Sequence, residues 1–242
     1  MKKIVLFILF TTLLLFGAKP RTLEAEYAIS YAIFGKIGQA EARLQVQNNR
    51  YHIEIKAEAT GIAKFMSNQR IERYSSSGII ENGRLQPERF ILETRKGKYF
   101  KKEHHFLFDH LQKKVKHLTY TIDKEEKREN EEILSYYARD DILTLFFNLR
   151  FYLQQECKTG KCTLVAAGAN EKDGRVDIIS LGKNRFKVTL HRRIFASKQG
   201  EMEIHINEMG ICDFALLKDV VFFGDVKANT TKISYPKREV EQ

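Results

Sequence analysis

Polar and apolar residues alternate with a period of two along most of this chain, a pattern typical of β-strands with one buried and one exposed face. The alternation is strongest at the start, where one face would carry Leu23, Ala25, Tyr27, Ile29, Tyr31 and Ile33. A second run alternates over residues 40–47 after a glycine-containing turn, and a third alternates over residues 51–59 beyond Asn48-Asn49. Three such runs in series predict an antiparallel meander.

Strand character continues on both sides of one helical segment. Before that segment it covers residues 70–75, 89–96, 99–110 and 114–122, and after it residues 163–167, 175–181, 184–191, 201–207, 211–223 and 226–234. Residues 61–67 interrupt the pattern as a short helix or a lid loop. Residues 123–132, DKEEKRENEE, predict a solvated loop or hairpin tip. The fold class predicted is mainly β: a large curved antiparallel sheet, or an open barrel-like β domain, whose halves are the two meanders.

One segment, residues 141–153, has the periodicity of a helix. Its apolar stripe consists of Ile142, Leu145, Phe146, Leu149 and Leu153. Such a stripe needs a sheet to cover it, so we predict one central α-helix packed on the sheet. Asp140 or Asp141 would be its N-cap, an interpretation that we favour over a pair of catalytic carboxylates.

The first eighteen residues, MKKIVLFILFTTLLLFGA, have the features of a secretory signal peptide. Two lysines precede an apolar run that is too short for a bilayer, which needs about 20 apolar residues. We therefore predict a signal peptide over 1–18, a single exported β-rich domain over 19–242, and no transmembrane segment once the signal is removed. The expected location is the periplasm of an envelope of the Gram-negative type.

The formal net charge is +10, and it falls by two, to +8, when the two lysines of the signal leave. The charges are spread along the chain, which is typical of a solvated surface. In a periplasm this basic balance favours anionic envelope surfaces as partners, and the compartment excludes nucleic acid.

Cys157 and Cys162 flank the tetrapeptide KTGK, a glycine-containing turn. In an oxidising compartment they are candidates for a disulfide across a hairpin neck, and two reduced thiols in a loop are the alternative. Cys212 lies in an apolar setting, where a small buried thiol is the favoured interpretation.

Histidines 104, 105, 110 and 117 invite comparison with a metal site, but their spacing on strands argues against one. His104 and His105 would point to opposite faces, and His110 would lie about 20 Å from His104 along the same strand. The chain also lacks a nucleophile elbow, a phosphate-binding glycine loop and a zinc-protease motif. We therefore predict no catalytic residue, no metal and no cofactor.

Several short motifs resemble the bacterial domain-of-unknown-function family 3108, DUF3108. They comprise Tyr27-x-x-x-Tyr31-x-x-Phe34-Gly35-x-x-Gly38-x-Ala40, then Tyr51-His52-Ile53, Arg73-Tyr74, Pro87, Phe90 and Asp141-x-Leu143 followed by Leu149-Arg150. The resemblance spans residues 25–234. It implies an exported envelope protein with a curved antiparallel sheet and a helix, and it brings no activity or catalytic residues. The cysteine pair is not a feature that we associate with this family.

The aromatic residues are core residues by default, but on a curled sheet some of them would line an apolar cavity. The function predicted is a non-catalytic binding or carrier module for an apolar, lipid-like envelope ligand. The candidate ligand-binding residues are Tyr31, Phe108, Leu149 and Arg150, the last either at a ligand head group or in a structural ion pair. Two alternatives stay open: an envelope interaction protein without a cavity, and a hydrolase built on His104 or His191 beside an acid.

Overall fold

The structure is a computed structural model that describes residues 21–31, 34–155, 157, 159–192, 200–208, 210–220 and 224–235. The predicted signal peptide and Ile33 lie outside the described residues.

The first half of the chain is a run of eight strands with one short helix. They are β1 (Arg21–Tyr31), β2 (Gly35–Gln47), β3 (Arg50–Ala59), α1 (Gly61–Met66), β4 (Ile71–Glu81), β5 (Arg84–Lys96), β6 (Phe100–Asp109), β7 (Lys114–Asp123) and β8 (Glu126–Ile133).

The second half begins with two short helices and continues with strands. The elements are β9 (Asp140–Asp141), α2 (Ile142–Phe147), α3 (Leu149–Gln155), β10 (Lys161–Ala167), β11 (Arg175–Gly182), β12 (Arg185–Thr189), β13 (Glu201–Ile206), β14 (Cys212–Val220) and β15 (Gly224–Ser234).

All the strands belong to one sheet of 15 strands, in the order β8-β7-β6-β5-β4-β3-β2-β1-β15-β14-β13-β12-β11-β10-β9. Every neighbouring pair is antiparallel except β9 with β10, which is parallel. β1 pairs with β15 from Glu24 opposite Ser234 to Tyr31 opposite Val226. This pairing joins the two meanders into one open sheet, so the predicted mainly β fold with a large antiparallel sheet is confirmed.

Two of the hairpins turn at residues that accept a left-handed backbone. Asn48 and Asn49 have φ values of 48° and 58°, and Asn82 and Gly83 have φ values of 52° and 75°. Positive φ at both central residues gives the turn the same twist as its strands, and Asn and Gly adopt it at little cost. These turns fix the registers of β2 with β3 and of β4 with β5.

The single central helix predicted over 141–153 is instead two short helices, α2 and α3, that meet at Asn148. The Asn148 side chain accepts from Leu85 N at 3.0 Å and donates to Leu85 O at 2.8 Å. These bonds attach the junction of the helices to β5. No helix among the described residues has the length and apolar character needed to cross a membrane.

The charged run predicted as a loop is a strand over most of its length. β8 pairs with β7 from Glu126 opposite Asp123 to Ile133 opposite Lys116, and all of its residues are exposed. Backbone pairing does not require a buried side chain, which is why the absence of apolar alternation concealed this strand. Its charges also discourage further strand addition at the edge of the sheet. For residues 61–67, the short helix of the two predicted alternatives is confirmed.

The core shows that the sheet curls around the helices. Leu143 of α2 packs in a cluster with Ile53, Phe90 and Phe106 from the first half of the sheet. Leu145, two residues further on, packs in a second cluster with residues of the other half, including Val176, Ile178 and Ile204. Because one six-residue helix contacts both halves, the two halves must face each other across it. The face that carries the helices is called the concave face below.

The predicted disulfide is confirmed. Cys157 and Cys162 are bonded at 2.02 Å with their Cα atoms 5.0 Å apart, and the bond links the end of α3 to the start of β10. Cys157 is buried in the cluster that contains Leu145. The bond therefore fixes the helical segment to the second half of the sheet.

Replacing both cysteines with alanine should lower the free energy of unfolding by about 2 kcal/mol, since the bond closes a loop of only about six residues. Urea denaturation of the double variant and of the wild type, each with and without reductant, checks this. Reductant should destabilise the wild type and a Cys212→Ser variant but leave the double variant unchanged. Equal sensitivity of all three proteins to reductant would contradict the assignment.

Candidate functional site

An apolar cavity of about 330 Å³ lies on the concave face between α2 and the middle of the sheet. One wall is formed by β1, β2 and β3, and the opposite wall by β11 to β14. The lining side chains are almost all apolar, and they include Leu23, Ala25, Tyr27, Leu44, Ile55, Val188, Leu190, Met202, Ile204 and Ala215. The residues of β1 that line it are those at odd positions, in agreement with the alternation of the sequence. This cavity is called the central cavity below.

The helices close the central cavity from above. α2 contributes Ile142, Leu143, Leu145, Phe146 and Phe147, and α3 contributes Leu149. Phe146 and Phe147 are only half-buried. They pack edge to face with ring centroids 5.5 Å apart. The side of the cavity formed by the helices, called its roof below, therefore includes large aromatic side chains that are only partly buried.

The space beneath these side chains arises from small residues on the sheet. Ala25 and Ala42 are cross-strand partners on β1 and β2, and both line the cavity. Ala215 lines it from β14. Alanine in place of Val, Ile or Phe at these positions leaves volume that the helices do not fill.

Two polar groups of the lining, the Tyr27 hydroxyl and the Cys212 thiol, are satisfied by backbone carbonyls. The Tyr27 hydroxyl donates to Cys212 O at 2.9 Å, and the Cys212 thiol donates to Phe214 O at 3.2 Å. Burial raises the pKa of the Cys212 thiol to about 12, with the nearby Asp213 charge adding to the effect. The thiol therefore stays protonated, and a protonated thiol is a poor nucleophile.

Asp141 attaches α2 to the sheet. Its carboxylate accepts from Leu143 N at 2.7 Å and Thr144 N at 3.1 Å, while Asp141 N donates to Thr144 Oγ1 at 2.9 Å. This reciprocal arrangement is a capping box, and the predicted N-cap is confirmed. The same carboxylate accepts from Ser76 Oγ of β4 at 2.6 Å, and Ser76 is hydrogen-bonded to the Tyr51 hydroxyl of β3 at 3.1 Å.

Asp140 attaches both helices to β5. Its carboxylate accepts from Arg84 at 2.7 Å and from Asn148 at 2.7 Å, and the Tyr152 hydroxyl of α3 also donates to it. The Arg84 guanidinium lies 4.7 Å from the centroid of the Tyr152 ring and 5.2 Å from that of Phe151. Both aspartates are fully buried. Their bonds serve to position the helices over the central cavity.

The structure places the four predicted ligand-binding residues apart. Leu149 lines the central cavity. Tyr31 packs in a separate cluster with Leu217 and Val226, Phe108 stacks on His110 with centroids 5.7 Å apart, and Arg150 is exposed on α3. A role in ligand binding for any of the four stays a prediction. The small residues of the lining were missed, although Ala25 and Ala42 stand out as the small members of two apolar strand faces.

The histidines come together more closely than their spacing along the chain indicated. His104 on β6 and His117 on β7 are hydrogen-bonded at 2.9 Å, because these strands pair and their diagonal neighbours share a face. His117 also donates to Glu132 Oε1 at 2.9 Å. His105, on the opposite face, contacts Glu103 at 3.0 Å. Within the described ranges, no group of three or more His, Cys, Asp or Glu is arranged to hold a metal ion.

A comparison with family profiles matches residues 26–206 to the family described as a protein of unknown function, DUF3108. The match covers most of the chain, so the protein belongs to this family, as the sequence motifs predicted. A comparison with curated proteins found no match.

The burial of Asp141 predicts a specific dependence of stability on pH. Burial raises its pKa from 3.8 to about 6 against the opposing bonds from Ser76, Thr144 and Leu143, and the Asp140 charge adds to the rise. The folded state therefore holds this proton more tightly than the unfolded state. Protonated Asp141 therefore contributes to the free energy of unfolding, and this contribution is fully present below about pH 4. It is lost as pH rises through 6, a loss of about 3 kcal/mol.

The Asp141→Asn variant keeps an oxygen for the cap and removes the titration. We expect the difference in unfolding free energy between wild type and variant to shift in favour of the variant as pH rises from 4 to 7. Urea denaturation at the two pH values measures it. An Asp141→Ala control, which also loses the cap, should be less stable than Asp141→Asn by about 1 kcal/mol. A difference between wild type and Asp141→Asn that does not change with pH would contradict the prediction.

Proposed function

We propose that this member of the DUF3108 family is a non-catalytic binding or carrier module that holds an apolar, lipid-like ligand in the central cavity. The observation that carries the proposal is the cavity itself, a space of about 330 Å³ with an almost wholly apolar lining. Small-molecule sites occupy roughly 300–1,000 Å³ and are lined predominantly by apolar side chains.

The exposure of the lining residues also supports a ligand. Phe146, Phe147, Leu190 and Met202 are large apolar side chains on the concave face, and all four are only partly buried. Complete burial of such a side chain is worth about 1.5–3 kcal/mol relative to full exposure. An apolar molecule in the cavity would cover this surface without a large rearrangement of the sheet.

The anchoring of the helices favours a preformed site. Asp140 and Asp141 attach α2 and α3 to β4 and β5 through buried hydrogen bonds, and the disulfide attaches the following segment to β10. A rigid roof lowers the entropy lost on binding. These features favour a carrier over the alternative of a packed interaction protein without a cavity.

A phenylalanine in place of Ala42 should fill the central cavity and weaken the binding of a fluorescent fatty-acid probe at least tenfold, because the new ring occupies the space of the ligand. Ala215→Phe tests the same space from the opposite wall. Titration of purified mature protein with the probe, together with mass spectrometry of organic extracts, measures both bound ligand and affinity.

The matched control for this experiment is Ala28→Phe on β1. Ala28 is half-buried and occupies an even position of β1, whereas the lining residues Ala25 and Tyr27 occupy odd positions. Its side chain therefore lies on the face of the sheet away from the cavity. We expect this variant to bind like the wild type. A folded wild-type protein that retains no lipid and binds no probe would overturn the proposal.

We also propose that the protein is exported to the periplasm, with residues 1–18 as the signal. The support is the lysine pair and the short apolar run of that segment, together with a disulfide of the kind found in oxidising compartments. Cell fractionation should recover a protein whose N-terminus begins near Lys19. A variant without residues 1–18 should stay in the cytoplasm with Cys157 and Cys162 reduced. Recovery of the full-length chain in the cytoplasm would contradict export.

A further inference from the structure

A second, polar cavity of about 890 Å³ lies on the concave face beside the central cavity. We call it the polar cleft. One wall is formed by β4 to β7, with Tyr74, Leu92, His104 and His117, and the other by residues that follow β10 and β12, including Asn170, Lys172 and Arg192. The two cavities are neighbours, because Ile55 of the central cavity and Tyr74 of the polar cleft are cross-strand partners.

The polar cleft carries cations that the protein leaves without a partner. Lys102 and Lys172 line it and form no ion pair with a described residue. Of its three glutamates, Glu72 is paired with Arg70, Glu132 is hydrogen-bonded to His117, and Glu171 forms no ion pair with a described residue. The three cations Lys102, Lys172 and Arg192 thus outnumber the two remaining carboxylates. The charge available to a ligand is therefore positive.

Arg192 adds a positive charge that points to the same conclusion. Its Nη1 donates to Gly168 O at 2.8 Å, while its Nε is buried and has no hydrogen-bond partner in the part of the chain that is described. A buried donor without an acceptor is unfavourable, and nearly all such groups in proteins are satisfied by protein, water or ligand. This Nε atom is closed off from the polar cleft, so a ligand there would meet the positive charge of the guanidinium, which no ion pair with a described residue neutralises.

Positive charges from both halves of the sheet lie close to His104 in the polar cleft. Burial, together with the charges of Lys102, His117 and Arg192, lowers the pKa of His104 to about 4. Lys102 lies on β6 beside His104, and Arg192 reaches the same space from the far half of the sheet. The two halves thus supply positive charge to one point.

We infer that the polar cleft binds the anionic head group of an amphiphile whose apolar tail occupies the central cavity. The placement of the tail rests on the proposed function, whereas the placement of the head rests on Lys102, Lys172 and Arg192. The head group is a phosphate or a carboxylate, since both present the anionic oxygens that guanidinium and ammonium groups bind.

Isothermal titration of the full mature protein with dodecyl phosphate, dodecanoate and the neutral dodecyl maltoside tests the inference. The three probes share a tail and differ in the head. We expect at least one anionic probe to bind roughly tenfold more tightly than the neutral probe, as charged hydrogen bonds would give. The tighter of the two anionic probes identifies the head-group chemistry.

Two variants test whether the head group binds in the polar cleft. Lys102→Gln and Arg192→Gln should each abolish the preference for the anionic probe and leave the affinity for dodecyl maltoside unchanged. The matched control is Lys101→Gln, on the same strand but on the opposite face, which should keep the preference. Thermal unfolding of each variant verifies that it folds.

The outcomes separate the two proposals. The head-group inference is wrong if charged and neutral probes bind with equal affinity, or if the preference for the anionic probe persists in both Gln variants. Either result leaves the proposed binding of an apolar ligand in the central cavity intact. If dodecyl phosphate binds no more tightly than inorganic phosphate, the tail adds nothing to the affinity. The inference that one ligand occupies both the polar cleft and the central cavity is then wrong. Failure of every probe to bind the folded protein overturns the proposed function as well.

Discussion

Two adjacent buried carboxylates hold this architecture together. Asp141 begins α2 and bonds to Ser76 of β4, and Asp140 bonds to Arg84 of β5 and to Asn148 and Tyr152 of the helices. Burying a carboxylate is costly unless its hydrogen bonds are satisfied, and here they come from two strands and from the two helices with their junction. The position of the helices over the sheet, and hence the shape of the central cavity, depends on these bonds.

The side chains on the concave face change from apolar at the middle of the sheet to polar toward its β8 edge. Cross-strand rows begin with apolar side chains near the middle of the sheet and end with polar ones toward β7 and β8, as in the row Leu44, Ile53, Ser76, Phe90, Phe106, His117 and Glu132. The concave face therefore changes from apolar to charged across its width. An amphiphile bound along such a row would meet matching surface at both ends.

Local patterns predicted the strands well but not their assembly. The alternation over residues 23–59 gave the first meander, and the glycine and asparagine turns gave its hairpins. β8 was missed because an exposed edge strand has no apolar face to reveal it, and the break at Asn148 was missed because its cause, the backbone of Leu85, lies 63 residues away in the chain. The cavities depend on which strands face each other, and that follows from long-range packing of Leu143 and Leu145 rather than from periodicity.

The pairing of β1 with β15 also determines the order in which this protein can fold. These two strands lie at the centre of the sheet, yet they come from opposite ends of the described chain. The middle of the sheet therefore cannot form until the last strand has been synthesised. Contacts between residues so distant in sequence slow folding, and until they form, both halves expose unpaired strand edges. A newly made chain would thus keep these edges exposed, and accessible to chaperones, until β15 is available to pair with β1.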